Sequence, residues 1–160
     1  VSYADDEQGF AGDGSDQDAR EDMFPSRVAV YNDNVLLGTK ATTAQSNFDR
    51  NHPLYVAIKE LAELRKQHAA LRHGKQIVRN YSEQPGLFAV SRIDPHSERE
   101  IVIAFNTSTE PLQANVEIDV RSRAFTSLKG GCAAKPSAPG SYRVTLEPLS
   151  HIVCAAQDTT

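Results

Sequence analysis

The spacing of apolar residues changes abruptly at Gly74, and this change constrains the fold more than any other feature of the sequence. Before Gly74, apolar residues recur every three or four positions, and after it they recur at every second position in short runs. The first spacing is typical of an amphipathic helix and the second of half-buried strands. Because no helical pattern follows Gly74, the second half of the chain is predicted to fold from strands alone.

Seven short β-rich runs follow Gly74, and clusters of Gly, Pro, Asp and Ser separate them. They cover 76–81, 87–93, 100–106, 113–120, 125–129, 142–147 and 151–155. About seven short strands without an intervening helix indicate an antiparallel β-sandwich. The run 101–105 is apolar on both faces and is predicted to be a central strand. Alternation predicts that six residues point inward, namely Val116, Ile118, Val120, Tyr142, Val144 and Leu146.

The clearest helical pattern covers residues 53–71. Pro53 suits the first helical position, and Asn51 or His52 can cap it. Gly74 follows two basic residues and is predicted to end the helix with a left-handed turn. The apolar stripe is expected to pack against partners outside this sequence as well as against the sandwich, and it contains Leu54, Ile58, Leu61, Leu64 and Leu71.

Charge is distributed unevenly along the chain. Residues 1–24 hold eight acidic residues and one basic residue, a net charge of −7, whereas the other 136 residues carry 16 bases and 13 acids. A strand end at 1–4, a Gly- and Asp-rich surface loop and a short helix over 18–24 are predicted here. The chain as a whole has a net charge of −4 and no long apolar run, so neither nucleic acid nor a membrane is a predicted partner.

The acidic residues and histidines show no recognisable metal-binding pattern. The acids do not fit a calcium-binding loop from any starting Asp, and the five histidines lack the spacing of zinc ligands. No phosphate- or dinucleotide-binding motif occurs. We therefore predict no metal site and no cofactor. A catalytic carboxylate pair needs two acids in different environments, and adjacent solvated acids rarely differ in that way. A solvated acidic loop is the simplest interpretation of these residues.

Two cysteines, Cys132 and Cys154, are too far apart in sequence for a C-x-x-C redox motif. They can form a disulfide in an oxidising compartment, where the bridge would tether the last strands of the sandwich. Alternatively both are free thiols, and Cys154 is then a small buried apolar residue. The sequence leaves these two possibilities open.

The order of these features resembles the C-terminal portion of an α-amylase-family glycoside hydrolase (family 13). Residues 3–10 (YADDEQGF) resemble the turn after the last barrel strand, and residues 12–24 (GDGSDQDAREDMF) resemble the following loop. Residues 52–74 resemble the last barrel helix as it enters the C-terminal β-domain. The resemblance implies a barrel remnant at 1–73 and an all-β domain at 74–160. The fold class is then mainly β, an antiparallel sandwich of about seven strands preceded by the last strand-loop-helix of a (β/α)8 barrel.

The resemblance also implies what the chain does and does not contain. In this family the three catalytic acids follow barrel strands four, five and seven, all upstream of Val1, so no catalytic residue is assigned here. The loop lines the sugar cleft, and in some relatives an Asp and an Arg four residues apart contact the substrate, a spacing matched by Asp16 and Arg20. The implied partners are an α-glucan and the upstream catalytic barrel. Because many members are secreted, a secreted or periplasmic location is favoured, and such a location would permit the Cys132–Cys154 bridge.

Two functions are therefore compared. In the first, the chain is a fragment of a retaining α-glucan hydrolase or transglycosidase, supplies a cleft loop and a supporting β-domain, and is not catalytic alone. In the second, it is a non-catalytic carbohydrate-binding or interaction module. Sugar-binding sandwiches stack sugar rings on exposed Trp or Tyr. The chain has no Trp, and only Tyr81 and Tyr142 lie in the β-region, which weighs against the second function.

Overall fold

The computed structural model describes residues 6–157. The chain divides into two compact units, Val1–Glu63 and Leu64–Thr160. The predicted domain boundary at 73/74 stays a prediction, and the predicted strand end at 1–4 lies outside the described residues. None of the described helices is long and apolar enough to cross a membrane.

The second unit is an antiparallel β-structure of seven strands, as the alternation of apolar residues predicts. A five-stranded sheet has the order β1-β2-β3-β7-β5, and β4 pairs with β6 in a separate two-stranded sheet. All pairs are antiparallel. The strands are β1 (Lys75–Asn80), β2 (Leu87–Ile93), β3 (Glu100–Asn106), β4 (Leu112–Glu117), β5 (Phe125–Lys129), β6 (Ser141–Leu146) and β7 (His151–Ala156).

The core lies between the two sheets. The inward residues of β3 and β7, including Val102, Ala104 and Cys154, pack against Val116 and Tyr142 from the smaller sheet. The Tyr142 ring also contacts the ring of Phe125 at a tilt of 40°, and its hydroxyl donates a 2.6 Å hydrogen bond to the Ala133 carbonyl. Five of the six residues predicted to point inward are buried. The exception is Val120, which is 64% exposed because β4 ends at Glu117 and the chain then turns.

The central position predicted for β3 is confirmed, and the structure shows why both faces of this strand are apolar. On its inner face Val102 and Ala104 belong to the core between the sheets. On its outer face Ile101 is buried with Val153 of β7 under Ala70. Leu64 and Leu71 pack against this second cluster. The outer face of the larger sheet is therefore covered at one end by the helical segment that precedes β1.

A buried carboxylate joins the two sheets at the start of β3. Glu100 accepts hydrogen bonds from Ser91 (2.5 Å) and Arg79 (3.0 Å) at one oxygen. Its other oxygen accepts from the Asp119 backbone (2.9 Å) and from Ser122 (2.7 Å). Both residues belong to the turn after β4, a strand of the smaller sheet. Four donors thus satisfy a charge that would otherwise be costly to bury.

The predicted helix 53–71 is interrupted. Helix α1 (Pro53–Gln67) ends before His68, which is extended, and a short helix α2 (Ala69–His73) follows. The guanidinium of Arg72 donates to the carbonyls of Arg65 and Lys66, so it satisfies acceptors at the end of α1 that a continuous helix would bond itself.

The first unit is mostly irregular. Short 3-10 turns occur at Asp6–Gln8 and Ala29–Asn32, an isolated bridge joins Val35 to Thr42, and α1 begins at Pro53. The helix predicted over 18–24 is absent, because the residues there form turns and bends around side-chain hydrogen bonds. His52 acts as the predicted cap: its Nδ1 accepts a 3.2 Å hydrogen bond from the Leu54 backbone.

Gly74 ends α2, but not in the predicted left-handed conformation. Its φ of −64° and ψ of 148° are extended values that any residue adopts. Glycine is needed there for space: a Cβ atom would lie 2.3 Å from the Ala70 carbonyl oxygen and 2.8 Å from that of Ile93. The junction of helix and sheet is therefore packed backbone against backbone.

The sulfur atoms of Cys132 and Cys154 are bonded in the structure, with an S–S distance of 2.01 Å and a Cα–Cα distance of 5.8 Å. Cys154 is fully buried in β7, and Cys132 lies in the connection between β5 and β6. The bridge therefore ties this connection to the core.

We expect the charge on Glu100 to matter much more than that on Glu117, although both accept from Arg79. Replacing Glu100 by Gln leaves Arg79 without its buried partner and should lower the free energy of unfolding by about 3 kcal/mol. Glu117 is the matched control, since its carboxylate lies 3.2 Å from Arg79 but is 76% exposed. Glu117→Gln should cost less than about 1 kcal/mol. Urea unfolding followed by circular dichroism measures both, and equal losses would contradict a special role for Glu100.

The disulfide gives a second expectation. Protein prepared under oxidising conditions and then unfolded without reductant should show no reactive thiol. Reduction should lower the free energy of unfolding by about 3 kcal/mol, because the bridge closes a loop over a separation of 22 residues. Thiol titration decides the first point and urea unfolding the second. Two reactive thiols in the oxidised material would show that the bridge does not form.

Candidate functional site

The loop between Gly12 and Arg20 holds the two predicted substrate-binding residues. Two hydrogen bonds to the Asp18 carboxylate close the loop. Ser15 donates both, one from its hydroxyl (2.8 Å) and one from its backbone N–H (3.2 Å). These bonds hold the pKa of Asp18 below its usual value. Gly12 has a φ of 60°, and a Cβ there would lie 2.7 Å from that of Ala19, so the loop is closely packed on itself.

Asp16 and Arg20 come together in this loop. The Arg20 guanidinium lies 2.7 Å from the Asp16 carboxylate, and its Nε also donates to the Asp16 carbonyl at 3.3 Å. The Asp16 side chain is 87% exposed, and the Arg20 side chain is 71% exposed. A general acid at neutral pH is normally shielded from water. An exposed, oriented ion pair instead suits hydrogen bonding to hydroxyl groups, with the carboxylate as acceptor and the guanidinium as donor.

Buried polar side chains support the loop, and the sequence did not predict them. The Gln8 carboxamide bonds both the backbone N–H and the carbonyl of Asp49, at 2.9 and 3.0 Å. Glu21 accepts a 2.6 Å hydrogen bond from the Asn34 amide. The Leu37 backbone donates to the Gly9 carbonyl at 2.8 Å. These bonds join segments up to 41 residues apart, so no local signal in the sequence could have identified them.

Several charged groups in the second unit pair with one another. A cavity of about 180 Å³ beside Glu100 is lined in part by Glu98, Asp119 and Arg121. Arg121 lies 2.7 Å from Asp119 and also bonds Glu98. Its hydrogen bonds lower the pKa of Asp119 to about 2. Glu98, Asp119 and Arg121 of this cavity are thus already paired with one another. Across residues 6–157, no three His, Cys, Asp or Glu side chains are grouped as metal ligands would be.

Comparison with known proteins adds to this geometry. Over 158 residues, 98% of its length, the chain is 42% identical to an α-amylase from Streptomyces lividans, and it spans 17% of that enzyme. No family model matches the chain.

Solved structures share the fold. An α-amylase from Anoxybacillus gives a TM-score of 0.58 at 19% identity, covering 79% of this chain and 27% of that one. A cyclomaltodextrinase gives a TM-score of 0.61 at 14% identity, covering 79% and 22%. A debranching enzyme from Nostoc punctiforme gives 0.53 at 21% identity, covering 75% and 27%. At these identities the likeness shows the fold alone. Together with the sequence match to the α-amylase, it shows that the chain is similar, over nearly its whole length, to the C-terminal portion of α-amylase-family glycoside hydrolases.

Proposed function

We propose that the chain is the C-terminal part of a retaining α-glucan-active hydrolase or transglycosidase and is not catalytic by itself. The observation that carries this proposal is the 42% identity to an α-amylase over nearly the whole chain, which spans only 17% of that enzyme. By the family resemblance, the catalytic acids belong to a barrel upstream of the matched segment. The first unit then supplies a loop of the substrate cleft, and the second unit supports the barrel.

The chemistry of the loop is consistent with an α-glucan as the substrate. Glucan rings present neutral hydroxyl groups, which donate to a carboxylate and accept from a guanidinium. The ion pair between Asp16 and Arg20 holds one group of each kind at an exposed position. Two of the similar solved structures are of AmyP, one in complex with maltotriose and the other in complex with maltose. We infer that the Asp16–Arg20 pair contacts a sugar ring in the complete enzyme.

The exposed apolar stripe of α1 supports the proposed barrel partner. No residue of α1 is buried, although it carries Leu54, Ile58 and Leu61, which are 37–44% exposed. An amphipathic helix normally buries its apolar stripe against a partner. We propose that the upstream barrel covers this stripe.

Enzyme assays test the proposed function. The 160-residue chain should release no product from starch, maltotriose or a nitrophenyl α-glucoside above a blank. The longer polypeptide that includes the upstream barrel should be active on these substrates. Turnover by the chain alone that disappears in Asp16→Asn would overturn the assignment of catalysis to upstream residues.

Substitutions in the longer polypeptide test the ion pair. Asp16→Asn and Arg20→Gln should each lower kcat/KM for maltooligosaccharides about tenfold or more, because each removes a hydrogen bond from a charged group. Asp13→Asn is the matched control, because Asp13 is an exposed acid of the same loop and should leave kcat/KM unchanged. Equal effects of Asp13→Asn and Asp16→Asn would indicate a general effect of loop charge and would contradict a specific contact.

A further inference from the structure

A cavity of about 280 Å³ lies between the turn that follows β4 and the connection from β5 to β6. We call it the turn cavity. Its lining includes Val120, Arg123, Lys135, Pro136 and Pro139, and none of its described lining residues is acidic. Binding sites for small molecules usually enclose roughly 300–1,000 Å³. The turn cavity is therefore large enough for a small organic molecule.

The two basic residues of the turn cavity have no partners among the described residues. Neither the guanidinium of Arg123 nor the ammonium of Lys135 makes a hydrogen bond or an ion pair within residues 6–157. By contrast, Arg121 lies only two residues before Arg123 and is bound to both Asp119 and Glu98. Two positive charges at one cavity repel each other, and an anion bound between them would remove this repulsion. The charges of the turn cavity therefore favour an anionic ligand.

Buried hydrogen bonds fix one wall of the turn cavity. The hydroxyl of Ser122, a lining residue, donates to the Glu100 carboxylate at 2.7 Å. The Ser122 backbone donates to the Asp119 carbonyl at 2.9 Å, and the Asp119 backbone donates to Glu100 at the same distance. Arg123 follows Ser122 directly, so this set of bonds also positions the backbone from which its side chain extends.

The other wall is fixed by a covalent bond and by backbone hydrogen bonds. The disulfide ties the connection from β5 to β6 to the core. On one side of Lys135, the Phe125 backbone donates to the Ala134 carbonyl at 2.9 Å, and on the other side the Ser137 backbone donates to the Ser141 carbonyl at 2.9 Å. Because both walls are already ordered, a ligand does not have to order them when it binds, which lowers the entropic cost of binding.

The apolar part of the lining distinguishes among anions. Val120 is 64% exposed, and Pro136 and Pro139 extend this apolar surface. Inorganic phosphate has no apolar part to place on such a surface, and an α-glucan carries no charge. A small carboxylate with an apolar body satisfies both features. Its planar carboxylate suits the guanidinium of an arginine, and its body can cover the exposed apolar side chains.

We infer that the turn cavity is a binding site for a small organic carboxylate. Arg123 and Lys135 bind the carboxylate, and the apolar lining residues contact the body of the ligand. This inference is independent of the proposed function, because every lining residue belongs to the second unit and the ligand is not an α-glucan.

Titration of the 160-residue chain with benzoate at constant ionic strength tests the site, with NMR of the backbone amides as the measurement. Benzoate should shift the signals of residues 118–123 and 134–140 saturably. Benzamide has nearly the same shape without the charge and should bind at least about tenfold more weakly. Acetate keeps the charge but lacks the ring, and it should also bind at least about tenfold more weakly. The absence of saturable shifts, or equal binding of benzoate and either analogue, would overturn the inference.

Substitutions separate a specific site from a general attraction of anions to the protein. Arg123→Gln and Lys135→Gln should each weaken benzoate binding about tenfold, because each removes a charged donor. Arg143→Gln is the matched control. Arg143 is an exposed cation of the second unit that bonds Gln113 and lies outside the turn cavity, so this change should leave the affinity for benzoate unaltered. Equal losses of affinity in all three variants would show that only net charge matters and would contradict the inference.

Discussion

The packing of the second unit depends on the buried carboxylate of Glu100. A buried charge is tolerated only when donors surround it, and here the donors come from Ser91, Arg79 and the turn after β4. Two of the contributing strands belong to the larger sheet, and the turn follows a strand of the smaller one. Because hydrophobic contact between sheets has little directional preference, this set of hydrogen bonds provides an orientation that the apolar core does not specify. The same bonds hold the turn at Asp119 and so direct Val120 away from the core.

The strands of the sandwich were largely predictable, and the polar network was not. Alternation along β4 and β6 identified the residues that meet in the core because burial on one face leaves a period of two in the sequence. Glu100 carries no comparable signal. It stands between a turn and a run that is apolar on both faces, so no alternation indicates which way its side chain points. Its partners Arg79 and Ser122 are 21 and 22 residues away, so the pairing appears only in three dimensions.

The first unit was predicted least well for a related reason. Its order comes from buried polar groups that bond the backbone, as Gln8 does at Asp49 and Asn47 at the carbonyls of Thr42 and Gln45. Such contacts produce no periodicity. Asp16 and Arg20 were predicted as site residues only through the family resemblance, and the structure pairs their side chains. No Pro or Gly marks the interruption of the helix at His68. The carbonyl of Arg65 that the interruption leaves free accepts a hydrogen bond from Arg72, which lies beyond the interruption in the sequence.

The close backbone packing at Gly74 also bears on how this domain can be reused. The space that excludes a side chain is bounded by the carbonyl of Ala70 on the helix and that of Ile93 on the neighbouring strand. Even the smallest side chain would have to displace main-chain atoms on one side. The junction of helix and sheet can therefore be transferred only as a unit. A protein engineer who grafts this β-domain onto another helix has to transfer the last turn of α2, Gly74 and the end of β2 together.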